Sequence, residues 1–509
     1  MLKFIKKYKV FIVLGSFILL LGFTLRLFKL TSLPVFADEA IYVRWAQVMR
    51  AEETLRFLPL SDGKQPLFMW VVIPFLKIFT DPLFAGRFVS VLCGAGTIVG
   101  VFLTSKLLFK SNKAAIIASL VIAVSPFAVF FDKMALVDSM LAMFGIWTFF
   151  LAALTATRLK LDTAILTGFA LGAALLTKSP ALFFALLIPF MILLINWPKN
   201  PKARVFTFGK FVFFTVVSIF IGYAIFNILR LGPNFHLLSS RNLDYVYPFN
   251  HIFENPLDPF LSLVRATFVY FKLLGPWTLM PLVVLGAIFS FKADWRKSLV
   301  VLLWFMVPIL GITEYAKVYT ARYILFTLPY LAIFAGNILP IGKKSLYWAG
   351  MILLALFLSQ SLVVNRRLLF DIQKAQLPRS ERSGYLEDWT AGFGIKEVSE
   401  LVRAEFAREP GKKIVIGTEG YFGTLPDGLQ MYLNDIPQII VVGVGLGINR
   451  IPTPLAESRA FGNKTYLLVN STRLLEDADK LGLRLINSYP KATKPEGARE
   501  DLLFFEVTK

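Results

Sequence analysis

Long apolar runs recur along the first 364 residues, at 8–28, 83–108, 114–130, 136–157, 163–178, 180–196, 207–229, 276–291, 298–313, 322–338 and 345–364. This pattern restricts the fold more than any other feature. Hydrocarbon offers no partner to a backbone N–H or C=O, so each run must satisfy its own backbone as a helix. With 56% hydrophobic residues over 509 positions and a mean hydropathy of +0.65, the chain is too apolar to be soluble at this length. The expected fold is a mainly α membrane protein, a polytopic bundle of about 11 spans.

The connectors alternate in charge. Basic ones are Lys106/Lys110/Lys113, Arg158/Lys160, Lys199/Lys202/Arg204, Lys292/Arg296/Lys297 and Lys343/Lys344, and Lys3, Lys6, Lys7 and Lys9 flank the first run. About eleven spans put all of these on one face, the cytoplasmic one. That accounts for the net charge of +21 and excludes a nucleic-acid partner. The first run is too long for a signal peptide and lacks a small-residue cleavage site, so it reads as an uncleaved span. The stretch 67–80, with Pro74 inside, is short for a crossing and reads as an interfacial helix in the first outer loop. The single cysteine, Cys93, excludes disulfides and argues against a thiol nucleophile. An odd span count places the chain beyond Arg366 outside the cytoplasm. There, β-rich pieces (413–417, 438–442, 465–470, 484–488 and 502–507) alternate with polar segments. We therefore expect a membrane domain over 1–365 and an extracytoplasmic α/β domain over 366–509, in a multi-pass protein of the plasma (inner) membrane with a cytoplasmic N-terminus.

The unusual chemistry falls in the outward connectors. Asp38 and Glu39 open a segment with Ile41, Trp45 and Val48 at helical spacing and Tyr42 between them, an amphipathic helix expected to lie flat at the interface. Either acid could simply cap the helix, worth under ~1 kcal/mol; a cap needs only one, and the pair sits where charge near the bilayer is costly. Lys64 stands before Pro66, which fixes the start of the next helix, and holds an ammonium at headgroup depth; a snorkelling lysine is the plain alternative. Asp138 lies one turn into an apolar run, as an N-cap or as the partner of a cation. Thr177-Lys178-Ser179-Pro180 is a tight turn that could add Lys178 to a positive rim. The loop 230–275 carries both histidines, His236 and His251, in no zinc-site spacing. Arg241 in that loop suits phosphate better, through its two-pronged guanidinium. Lys317, Arg322 and Tyr323 form a further cationic cluster. The glycines of 443–447 match no nucleotide loop. Segment 381–394 reads as a docking strip between the last span and the outer domain, with no chemistry attached.

Taken in order, Asp38-Glu39, Lys64-Gln65-Pro66-Leu67, Arg87-Phe88-Val89-Ser90, Ser125-Pro126, Asp138, Thr177-Lys178-Ser179-Pro180 and Ala321-Arg322-Tyr323 with Pro329 resemble the lipid-phosphate-dependent glycosyltransferases of the GT-C fold. These are relatives of protein O-mannosyltransferases and of the lipid A aminoarabinose transferase. The likeness covers roughly 1–365. It implies inverting transfer of a sugar from a polyprenyl-phosphate donor to a lipid, glycan or protein acceptor outside the cytoplasm. Asp38 matches the general base, Lys64 the donor-phosphate lysine and Asp138 the second-loop acid. Gln65 stands where Pro is commoner and Ser179 where Gly is commoner.

Residue chemistry agrees. A glycosyl phosphate already carries a good leaving group, so cations must take up its charge and a carboxylate the acceptor's proton. The candidate catalytic residues are Asp38, Glu39 and Asp138. Lys64, Arg241, Lys317 and Arg322 are candidates for the donor phosphate, and Tyr42, Tyr323 and His251 for substrate contacts. No cofactor is required, and a divalent metal is optional. The rival reading, a transporter or lipid flippase, predicts repeat symmetry and ionisable groups at the bilayer midplane; these groups lie instead at span ends.

Overall fold

The computed structural model describes residues 2–339 and 344–508, with side chains from Val10 onward; the expected connector residue Lys343 and the side chains of Lys3, Lys6, Lys7 and Lys9 lie outside the described residues. Helix α1 (Leu2–Leu27) is followed by strand β1 (Val35–Phe36), α2 (Ala37–Ala51), α3 (Leu67–Phe75) and α4 (Pro82–Phe109). Next come α5 (Asn112–Val124), α6 (Pro126–Phe131), α7 (Val137–Arg158), α8 (Leu161–Thr177), α9 (Leu182–Leu187) and α10 (Pro201–Phe226). The long connector holds α11 (Leu237–Tyr245), α12 (His251–Glu254) and α13 (Phe260–Leu274), ahead of α14 (Leu279–Ala293), α15 (Trp295–Tyr315), α16 (Leu328–Gly336) and α17 (Lys344–Phe370).

Every apolar run is helical, but the helices differ in length. Among the described residues six are long and apolar enough to cross a membrane, and α13 with α14, bent by 104°, make a seventh if taken as one span. Asn112–Val124, Leu161–Thr177, Ser179–Leu194 and Ala321–Gly336 are shorter apolar helices. Prolines set several of the breaks: Pro126 starts α6 directly after α5, and Pro180 and Pro189 fall in 3₁₀ turns either side of α9, where a missing N–H costs least. At nine residues α3 rises only about 14 Å, too little to cross.

The chain forms two compact units. The first takes residues up to Phe28, Arg56–Phe68 and Phe88–Pro378. Its core is aromatic: the Trp304 indole stacks on Phe184 at 5.7 Å and meets Phe149 edge-on at 5.1 Å. A buried ion pair joins it, with Arg26 Nε donating to Asp132 Oδ2 at 2.8 Å and its other nitrogens to the carbonyls of Gly22, Ile122 and Ala123.

The second unit takes Lys29–Leu55, Met69–Arg87 and Arg379–Lys509. It adds α18 (Arg379–Arg382), β2 (Ala391–Gly392), α19 (Ile395–Arg408), β3 (Ile414–Glu419), α20 (Asp427–Leu433), β4 (Ile439–Gly445), α21 (Thr453–Ala460), β5 (Lys464–Asn470), β6 (Leu483–Pro490) and β7 (Asp501–Val507). The five β-rich pieces expected from sequence become one sheet of order β4-β3-β5-β7-β6, with β3 parallel to β4 and β5, and β7 antiparallel to β5 and β6. Central β3 is buried throughout, as a strand covered on both faces must be. Val415, Leu455, Leu467, Val469 and Phe505 form the core beneath it.

The strip 381–394 docks the first connector within this unit: β1 pairs antiparallel with β2, Val35 opposite Gly392 and Phe36 opposite Ala391. The expected membrane-facing role of α2 needs correcting. Its apolar side packs on protein of the same unit, with Trp45 5.7 Å from Phe422 and the Gln47 amide donating to Met431 O at 2.9 Å. A fifteen-residue helix buries that stripe wherever apolar surface is nearest, and here α20 supplies it.

Candidate functional site

In the second unit the acid pair divides its labour. Glu39 is fully buried, and its Oε2 accepts the Phe36 N–H at 3.0 Å, closing the first turn of α2. Both its oxygens also face Arg87: Nε donates to Oε1 at 2.8 Å and Nη2 to Oε2 at 2.7 Å. Arg87 spends its remaining protons on the carbonyls of Leu30, Leu33 and Pro34. All five donors are thus satisfied, the condition for a stable buried guanidinium. Glu39 caps and anchors α2, while its neighbour Asp38, in the same turn, remains half-buried. Tyr42 is buried, its ring 6.0 Å from Trp45.

In the first unit Lys64, Arg241 and Arg322 fall into two linked groups. Asp62, which the sequence did not single out, bridges Lys64 and Arg241: Oδ2 lies 3.2 Å from Lys64 Nζ, and Oδ1 accepts from Arg241 Nη2 at 2.5 Å. Arg241 Nη1 also reaches Asp244 at 2.9 Å. The bond to Asp62 raises the Arg241 guanidinium further above its already high ordinary value, so its charge is permanent. Gly63 makes this meeting possible. Its φ is +65°, and a Cβ there would sit 2.5 Å from Arg241 Cβ, which only glycine avoids.

The second group centres on Lys178. Its ammonium donates to Asp138 Oδ1 at 2.6 Å and sits 4.2 Å from the centre of the Tyr323 ring; the Arg322 guanidinium lies 5.5 Å from that ring. Asp138 is almost wholly buried and does not cap α7, whose N-cap is Leu136. Its carboxylate is held for a cation instead. A hydrogen bond links the two groups, the Gln65 amide donating to Ser179 Oγ at 2.8 Å. These are the two positions where the chain departs from the resembled pattern, and they bond to each other.

Other candidates serve the loops. Lys317 Nζ donates to Leu243 O at 2.6 Å and its N–H to Tyr245 O at 2.8 Å, clasping the long connector onto the end of α15. His251 stacks on Tyr247 at 4.0 Å and bonds Asp258 O at 2.7 Å. Among the described residues, no group of three or more His, Cys, Asp or Glu could hold a metal ion. Lys178 and Asp62 gained their places only in the fold; the turn motif signalled the first, and nothing local marked the second.

Fold and composition together define an integral, multi-pass membrane protein with the GT-C glycosyltransferase fold. Residues 63–223 match the family model for dolichyl-phosphate-mannose-protein mannosyltransferase. Among solved structures, the chain resembles ArnT from Cupriavidus metallidurans in its apo state (14% identity, TM-score 0.60, 99% of this chain and 98% of that one covered). It also resembles the same protein bound to undecaprenyl phosphate (14% identity, TM-score 0.57, the same coverage). AglB, the archaeal oligosaccharyltransferase of Archaeoglobus fulgidus, matches more distantly (12% identity, TM-score 0.49, 99% of this chain and 75% of that one). No curated protein matches the sequence significantly.

Proposed function

We propose that this protein is a membrane glycosyltransferase that moves a sugar from a polyprenyl-phosphate donor, with inversion, to a lipid, glycan or protein acceptor outside the cytoplasm. The protein lies in the plasma (inner) membrane, its basic connectors and N-terminus cytoplasmic and residues 366–509 external. The observation that carries this reading is the Gln65–Ser179 hydrogen bond. It draws together two lysine-bearing segments inside the stretch that matches the mannosyltransferase family model. Lys64 with Arg241, and Lys178 with Arg322, supply positive charge in a form that suits a departing phosphate. Asp138 orients Lys178. Asp38 takes the acceptor's proton as general base, and Glu39 with Arg87 fixes the turn that presents it. Glycosyl phosphates need no nucleotide loop and no metal for this step; both electrons of the breaking bond leave with the phosphate oxygen.

The test compares cell-envelope glycans, lipids and proteins by mass spectrometry in cells carrying wild type, Asp38→Asn or Lys64→Ala. We expect a sugar-modified species that falls by about a hundredfold or more with Asp38→Asn at unchanged protein level. Lys64→Ala should weaken donor use more than acceptor use. Full modification by Asp38→Asn would remove it from the mechanism, and equal loss of donor and acceptor affinity would contradict the role of Lys64.

A further inference from the structure

At the end of the first unit that carries the basic connectors, a cavity of about 1120 Å³ opens between helices. Its apolar walls come from Phe11 of α1, Phe109 of α4, Ile117 of α5, Phe289 of α14, and Leu346 and Tyr347 of α17, and Ser111, Asn112 and Asn337 add polar groups. At its floor α16 packs directly on α5, where a Cβ on Gly336 would meet Ala114 O at 2.5 Å. Lys113, Lys292 and Lys344, from α5, α14 and α17, also line it, and no acid does so among the described residues.

The positive-inside rule accounts for lysines on this face but not for their convergence on one cavity. Two other cations of this face have partners of their own: Lys297 pairs with Asp294 at 2.8 Å, and the Arg204 guanidinium donates to Pro198 O at 2.8 Å. Among the described residues Lys113, Lys292 and Lys344 have no such partner, and all three are exposed. Three like charges around one hollow repel one another unless an anion lies among them. Basic pockets between transmembrane helices suit anionic lipid headgroups. An ammonium meets phosphate as a point charge without a fixed geometry, while its alkyl stem lies along apolar surface.

We propose that this cavity binds one anionic phospholipid, its phosphate among Lys113, Lys292 and Lys344 and an acyl chain against the aromatic walls. The site is separate from the residues assigned to sugar transfer and does not depend on that assignment.

The full-length protein is purified, delipidated and returned to phosphatidylcholine nanodiscs containing a minor fraction of phosphatidylglycerol, and retained lipid is read by native mass spectrometry. Wild type is expected to hold one phosphatidylglycerol at least about tenfold in preference to phosphatidylcholine. The triple variant Lys113→Gln/Lys292→Gln/Lys344→Gln should lose that preference. A control triple on the same face, Arg158→Gln/Lys160→Gln/Lys202→Gln, should keep it, and so should wild type challenged with inorganic phosphate. Retention by the cavity triple, loss by the control triple, or displacement by inorganic phosphate would each overturn the site. Melting in pure phosphatidylcholine checks the fold of each variant; if the triple melts early, the three single substitutions must each weaken retention, and unchanged retention in all three overturns the proposal.

Discussion

At the scale of single residues, adjacent Asp38 and Glu39 illustrate how neighbours of identical chemistry acquire different tasks. Glu39 is closed in by Arg87 and the Phe36 amide, and a buried pair is sensitive to losing one partner because the other charge stays behind. Glu39→Gln should therefore lower stability by about 3–5 kcal/mol, seen as a fall in melting temperature of the detergent-solubilised protein. Asp38→Asn should melt like wild type. Equal melting of Glu39→Gln and wild type would show that the ion pair does not hold α2. The sequence made the acid pair conspicuous and Arg87 visible as a motif residue, but it could not pair them across a separation of 48. Arg26 was legible in principle, as a charge inside an apolar run; its partner Asp132, 106 residues away, was not.

Elements bring the same lesson at larger spacing. Gln65 and Ser179 stand 114 residues apart at the ends of different helices, and each alone looks like an ordinary turn residue. If their bond joins the two lysine segments, a double-mutant cycle between Gln65→Ala and Ser179→Ala should give a coupling of about 1 kcal/mol in donor binding; additive effects would break the link. In the sheet of the second unit, Lys491 follows β6 and is 1% exposed. Burial pushes its ammonium down to about 8, against the opposing pull of Glu500, Glu419 and Asp388. Between pH 8 and the ordinary lysine value the unfolded chain binds more protons than the folded one, so stability rises with pH in that window. Hydrogen exchange of β5 and β7 should slow from pH 8 to 10 after correction for intrinsic rates, and Lys491→Met should abolish the trend. An opposite slope in wild type would mean that the lysine is charged and paired throughout.

For the whole molecule, the orientation across the bilayer is the property with the widest consequences. In a Cys93→Ser background, Glu53→Cys and Glu457→Cys should react with an impermeant thiol reagent added outside intact cells, and Lys160→Cys only after lysis. All three positions are exposed in the fold, so protection reports sidedness rather than burial. Labelling of Lys160→Cys from outside would invert the topology and remove the external placement of the proposed chemistry.

The sequence by itself determined that this chain crosses the membrane repeatedly as helices, because apolar backbone in hydrocarbon has no other way to satisfy its hydrogen bonds. It also determined the five strands that follow, since β-rich pieces between turns carry their own period. The tertiary structure alone decided which charge meets which. Glu39 meets Arg87, Asp138 meets Lys178, and Asp62 stands between Lys64 and Arg241. Periodicity is a local property, whereas an ion pair between distant segments depends on how the helices pack, and no repeat in the chain encodes it.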